Sequence, residues 1–316
     1  MGRESKWASG RLKKIRGMVS AGAGALLLLF PAGGFAGIFD AGSWGYQLQD
    51  AVPSELAASA YDVLVIDYSK DGSDSGAYSR RAVESIRRKG KIVLAYFSIG
   101  EAEDYRFYWN DRWRPGSPPW LGPENPDWKG NYKVRYWESG WWNVALRPYL
   151  DRILDAGFDG AYLDIVDAYW YWRKEPGFTV GIAASKMIRL VEKIGNYARQ
   201  TFPDFILCPQ NAESILDDVP TAKLRKRYLD AIQAIGVEDL FYHYGSSADR
   251  EYRKAMLKQF AAAGKRIFNV EYVSGDRWKA YLNRACSAPF PVVPYGARPD
   301  RELDELVTFP KKPCGP

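Results

Sequence analysis

Eight short apolar or aromatic runs, separated mostly by stretches in which apolar residues recur every three or four positions, predict an α/β protein with parallel strands. The expected architecture is a (β/α)8 TIM barrel in a single domain. Length agrees: 280 residues follow residue 36, close to the roughly 250 usual for eight β–α units. The alternative, an open doubly wound sheet, normally carries a Gly-rich phosphate turn after its first strand, and no such turn occurs. The pairs Gly90-Lys91 and Gly264-Lys265 have Ser85 and Gln259 where a phosphate-binding loop needs its first glycine. Both glycines are better read as helix stops ahead of the next strand.

In chain order the expected strands occupy residues 44–49, 62–68, 91–100, 160–166, 205–211, 234–241, 266–273 and 292–296. Helical patterning fills 78–89, 144–156, 182–201, 225–231 and 252–263. The connection between the third and fourth strands is abnormally long, about sixty residues, and it holds Trp109, Trp113, Trp120, Trp128, Trp137, Trp141 and Trp142. Seven of the twelve tryptophans therefore follow a strand on the face where barrels build their sites. Two arrangements suit them: a satellite core packed on itself, or, taken together, a groove for something flat and polar such as a sugar.

The chain carries a formal net charge of +6. Residues 1–36 hold Arg3, Lys6, Arg11, Lys13, Lys14 and Arg16 against Glu4 alone, a net of +5, which leaves about +1 for the body. A near-neutral body lacks the global field that drives non-specific phosphate binding, so nucleic acid is not an expected partner. The basic cluster precedes an apolar run at 18–30 and small residues near Ala36. That order describes a signal peptide over residues 1–36, with an N-terminal anchor as the alternative. The thirteen-residue run spans roughly 20 Å, less than a bilayer core. Export to the periplasm or the outside is the expectation. Of the cysteines, Cys208 lies in an apolar run and reads as a buried thiol, while Cys286 and Cys314 suit a bridge that ties down the tail.

Four strand ends carry an acid: Asp67, Asp164, Glu238 and Glu271. Because side chains alternate along a strand, Gly160, Tyr162 and Asp164 share one face, and the apolar Ala161, Leu163 and Ile165 suit the helix layer. The same argument turns Gly236 and Glu238 inward. On the seventh run it turns Asn269 and Glu271 inward and Phe268 and Val270 outward. Three acids are then expected at one mouth, with Glu101, Glu103, Asp104, Asp167 and Glu213 making the rim acidic. Clustered carboxylates resist ionisation, and the resulting separation of pKa values is what acid–base catalysis uses.

Other chemistries fit poorly. His243 is the only histidine and no G-x-S-x-G turn occurs, which disfavours a Ser-His-Asp hydrolase. Scattered cysteines and one histidine disfavour zinc, whereas a carboxylate-bound Mg²⁺ or Ca²⁺ stays open. Lys91 and Lys265 sit at the N-terminal ends of strands, the wrong side for a Schiff base. Carboxylates beside aromatics describe a glycoside hydrolase.

The ordered segments YDVLVIDYSKDG, IVLAYFSIGEAEDYR, VRYWESGWW, GFDGAYLDIVDAY, AIGVEDLFY and KRIFNVEYV resemble those of glycoside hydrolase family 114, the endo-α-1,4-polygalactosaminidase-like barrels. The likeness runs from about Trp44 to the eighth strand. It implies cleavage of α-1,4-linked galactosamine-type polysaccharide without a cofactor. The family's fourth-strand acid falls on Asp164 and its sixth-strand acid on Glu238, expected by analogy as nucleophile and general acid/base. Asp67, Tyr96, Glu101, Trp137, Tyr162, Asp167, Asn211 and Glu271 are the expected substrate contacts, Glu271 orienting the sugar. The wording IGVEDLF departs from other members around the sixth-strand acid, which leaves the exact polymer open. A carbohydrate-binding barrel without turnover and a metal-dependent barrel enzyme using the same acids are the rival classes.

Overall fold

A computed structural model describes residues 35–242 and 245–310 of the chain. Residues 1–34 of the leader expected over 1–36, together with His243 and Cys314, lie outside the described residues. Cys208 is free and buried, and Cys286 is disulfide-bonded. Among the described residues no helix is long and apolar enough to cross a membrane.

Eleven strands are present among the described residues: β1 (Trp44–Tyr46), β2 (Val63–Ile66), β3 (Ile92–Ser98), β4 (Glu101–Glu103), β5 (Leu121–Asn125), β6 (Trp128–Val134), β7 (Gly160–Asp164), β8 (Ile206–Pro209), β9 (Ala234–Glu238), β10 (Arg266–Tyr272) and β11 (Val293–Ala297). The eight expected runs correspond to β1, β2, β3, β7, β8, β9, β10 and β11, all pairing parallel. They form one sheet ordered β1-β2-β3-β7-β8 and another ordered β11-β10-β9. An isolated parallel bridge between Gln210 and Gly236 joins β8 to β9. On the other side the Trp44 indole donates to the Val293 carbonyl at 2.9 Å, bringing β11 beside β1.

The helices between strands begin and end where local chemistry directs. Ser79 and Thr179 accept from the amides of Ala82 and Ile182 and start the helices Arg80–Arg87 and Val180–Arg199. Ser246 and Asp249 form a reciprocal capping box at the start of Ser247–Ala262. Gly90 and Gly264 take φ of 78° and 73° between a helix and β3 or β10, in accord with the helix-stop expectation.

One interior face is aromatic. Trp44 stacks on Tyr46 at 5.8 Å and on Tyr162 at 6.1 Å, and meets Phe268 at 5.3 Å. Gly236 lies against the same cluster, where a Cβ would come within 2.0 Å of the Tyr162 hydroxyl. Only glycine admits so close an approach. This aromatic plug fills the space beneath the C-terminal strand ends.

The expected facing of the seventh run is reversed. Phe268 is in register with Gly236 and Val270 with Glu238, so Phe268, Val270 and Tyr272 share the inner face. Asn269 and Glu271 point to the helix layer, where Tyr281 of the helix Trp278–Cys286 donates to Asn269 Oδ1 at 2.7 Å. The alternation in RIFNVEY puts apolar side chains on both faces, so a polar partner on the neighbouring helix decides between them.

The long connection after β3 is also more ordered than a loop. It contains a three-stranded antiparallel sheet, β4-β6-β5. Trp109, Trp113, Trp120 and Trp141 meet in series at 5.3, 4.9 and 5.1 Å. The indoles mostly build a satellite core rather than line a groove. Trp128, 60% exposed, is the exception.

Candidate active site

Asp164 ends β7 and Glu238 ends β9, both on the inner face. Tyr96 of β3 donates to Asp164 Oδ2 at 2.7 Å, and the Ile165 amide donates to Oδ1 at 2.8 Å. Burial, and then the charge of Glu238, push the Asp164 carboxyl up to about 8, against those two hydrogen bonds. Glu238 is held on both oxygens: Tyr272 of β10 donates to Oε1, and the Asn211 amide donates to Oε2 at 3.1 Å. Asn211 also accepts from the Glu238 backbone amide at 3.1 Å, fixing main chain and side chain together. Tyr46 lies within the field of this pair: burial first, then Asp164, Glu238 and Asp67, raise its hydroxyl well above the usual range.

The backbone is strained where these strands end. Ile165, Asn211, Ala212 and Asp239 follow β7, β8 and β9 with φ of 56°, 56°, 57° and 54°. Left-handed conformations are costly for such residues, above all for β-branched isoleucine, and they concentrate where a structure holds side chains for a task.

The remaining expected contacts separate into those near the pair and those placed elsewhere. Asp67 faces inward but is engaged by Arg106, at 2.8 Å from Nη1 and 2.7 Å from Nη2, and Arg106 Nε also donates to Glu103 at 2.7 Å. Glu101 is buried: Lys133 and Asn125 donate to its Oε1 at 2.5 and 2.9 Å, and among the described residues its Oε2 has no hydrogen-bond partner. Asp167 stands at the rim with one side open to solvent. Desolvation, then Glu101 and Glu213, raise it to about 6, with Lys133 opposing. Tyr162 belongs to the buried aromatic plug, and Trp137 packs edge-on to Trp172 at 5.4 Å within the satellite core. Glu271 does not join the pair. Its Oε1 accepts from the Phe241 amide at 2.7 Å, and burial raises its carboxyl to about 7. Among the described residues no three His, Cys, Asp or Glu side chains group as a metal site.

Tyr272 and Arg106 were not among the expected site residues. Tyr272 shares a face with Phe268, so the wrong facing of that run concealed it. Arg106 closes the motif IVLAYFSIGEAEDYR and faces two acids, and its pairing with Asp67 is visible only once the fold brings the turn after β4 to the end of β2. The exposed Trp170 and Tyr171, just past β7, were hidden in the run DAYWYW.

Two carboxyls at the ends of parallel strands, one of them raised by burial and by the charge of the other, form the kind of site that glycosidases use. The chain belongs to glycoside hydrolase family GH114, whose family model matches residues 33–314. It is 41% identical over 278 residues to a protein of Methanocaldococcus jannaschii, covering 84% of this chain and 78% of that one. It is 39% identical over 279 residues to a protein of Thermotoga maritima, with coverage of 84% and 83%. The fold is similar to the glycoside hydrolase domain of PelA from Pseudomonas aeruginosa, with TM-score 0.62, 17% identity and coverage of 84% and 97%. It is also similar to Aspergillus fumigatus Ega3 in complex with galactosamine, with TM-score 0.59, 18% identity and coverage of 84% and 94%. The α/β architecture with its parallel strands is thus similar to that of the TIM-barrel glycosidases.

Proposed function

We propose that this protein is an exported endo-acting glycoside hydrolase that cleaves α-1,4-linked galactosamine-type polysaccharide with Asp164 and Glu238. The eight parallel strands close as a (β/α)8 barrel, with Trp44 and Val293 at the seam. The observation that carries the proposal is the Asp164–Glu238 pair, two acids coupled by charge yet held by different neighbours. Family GH114 membership and the likeness to Ega3, solved in complex with galactosamine, support the sugar.

Burial and the neighbouring charge of Glu238 raise the Asp164 carboxyl. In the free protein Asp164 is the raised member, whereas the nucleophile must be ionised. A protonated amino sugar entering beside Asp164 favours its carboxylate, leaving the proton for Glu238 to deliver to the departing oxygen. Tyr96 and the Ile165 amide, already donating to Asp164, stabilise that carboxylate.

The test is reducing-end release from partly deacetylated α-1,4-galactosaminogalactan by the purified protein, with Asp164→Asn, Glu238→Gln and EDTA controls. Release that both substitutions abolish and EDTA spares supports the proposal. Loss with EDTA, restored by Mg²⁺ or Ca²⁺, selects a metal-dependent enzyme. Tight polymer binding by all three proteins without release makes the barrel a binding protein.

A further inference from the structure

The last described stretch of the chain runs back across the C-terminal end of β1. The amides of Leu48 and Gln49 donate to the Leu303 carbonyl at 2.8 and 3.1 Å. The side chains of Gln47 and Gln49 donate to the carbonyls of Asp304 and Glu302 at 3.0 and 2.7 Å. Arg298 and Glu305 pair with both nitrogen–oxygen contacts at 2.7 Å or less. Within this strap Arg301 and Leu303 hold φ of 65° and 51°, conformations that persist only where the surroundings over-determine them.

The strap brings Arg301 to the strand ends. Its Nη2 donates to Asp239 Oδ2 at 2.6 Å, and its guanidinium centre lies 4.2 Å from the Tyr272 ring centroid. Asp239 follows Glu238 in the chain and Tyr272 donates to Glu238 Oε1. Arg301 therefore grips both neighbours of Glu238 and is electrostatically coupled to Glu238 itself. A planar guanidinium can stack on a ring and pair with a carboxylate at once, which a lysine ammonium cannot.

We propose that Arg301 is a positioning residue for Glu238, delivered by the C-terminal strap and acting through Tyr272 and Asp239. The proposal rests on the two-carboxylate role of the site. Clamped from both sides, Glu238 keeps one rotamer and one hydrogen-bonding geometry as charge changes at the mouth.

The test uses the full chain with Arg301→Ala, Arg301→Lys, Tyr272→Phe and the Arg301→Ala/Tyr272→Phe double variant. In polymer hydrolysis Arg301→Ala lowers kcat about tenfold with KM changed less than about twofold, as expected for a group that orients the acid rather than the substrate. Arg301→Lys keeps the charge and recovers part of the loss. The double variant is no slower than the worse single variant, because both substitutions break one connection. A readout that needs no substrate is carbodiimide labelling of Glu238, followed by peptide mass spectrometry. Arg301→Ala raises it severalfold and leaves Asp164 labelling unchanged. An unchanged kcat, additive losses, or unchanged Glu238 labelling overturns the positioning role. If the wild type releases no sugar while Arg301→Ala still raises Glu238 labelling, the glycosidase role fails and the clamp stands. If the wild type is active and Arg301→Ala matches it in both readouts, the clamp alone fails.

Discussion

Asp67 and Asp164 lie at the ends of two strands of the same five-stranded sheet, both on its inner face, and their surroundings treat them oppositely. Asp67 meets a fully buried guanidinium that it shares with Glu103. Asp164 meets a hydroxyl, a backbone amide and a second carboxylate, and is driven toward its protonated form. β9 and β10 repeat the contrast: Glu238 faces inward beside Asp164, while Glu271, one strand over, turns to the helix layer and accepts the Phe241 amide. An acid at a strand end is therefore not a site by its position. It is a candidate where the structure both withholds the cation and turns the side chain inward.

Substitutions can break that contrast, and the largest effect belongs to the inner pair. Asp164→Asn or Glu238→Gln lowers the rate of polymer hydrolysis by about 10³-fold or more, since either substitution removes the proposed nucleophile or proton donor. Circular dichroism on the same samples shows native folding. Next is the structural pair: Arg106→Leu strands Asp67 and Glu103 without their cation and costs about 3–5 kcal/mol, read as a lower denaturation midpoint.

Asp164→Asn sharpens the comparison through its pH dependence. A carboxyl raised in the folded state to about 8 adds no cost below its unfolded pKa, near 4, and destabilises progressively as pH rises through its folded value. Relative to wild type, Asp164→Asn gains stability between pH 4 and pH 8, reaching about 1–2 kcal/mol once discounted for partial solvent access. A difference constant with pH would mean the carboxyl is not raised. Glu271→Gln gives the smallest effect. Gln keeps an acceptor for the Phe241 amide, so kcat stays within about twofold and stability changes by less than about 1 kcal/mol. A loss as large as that at Glu238 would return Glu271 to the mouth.

Much of this is legible in the sequence. Eight parallel strands, their order and the helix stops at Gly90 and Gly264 follow from local patterns, because a few neighbouring residues set period, turn and cap. Asp164 and Glu238 were legible for a related reason: GAYLD and AIGVE place small or aromatic residues on one face and aliphatic ones on the other, so alternation alone orients the acid. RIFNVEY offers no such asymmetry, and its facing depended on Tyr281, twelve residues beyond Asn269. The tryptophans were ambiguous because an indole serves a core or a groove equally well until its neighbours are known.

The sequence by itself thus determined the element order, the parallel pairing and two acids at strand ends, all properties of short-range periodicity. Only the tertiary structure decided which acids stay free of cations, how Asn211 and Tyr272 hold Glu238, and that a strap from the chain's end sets Arg301 beside them. The reason is distance along the chain. Asp67 and Arg106 are 39 residues apart, and Asp239 and Arg301 are 62. No local pattern encodes contacts at that separation; they exist only once burial and register have brought the strand ends together.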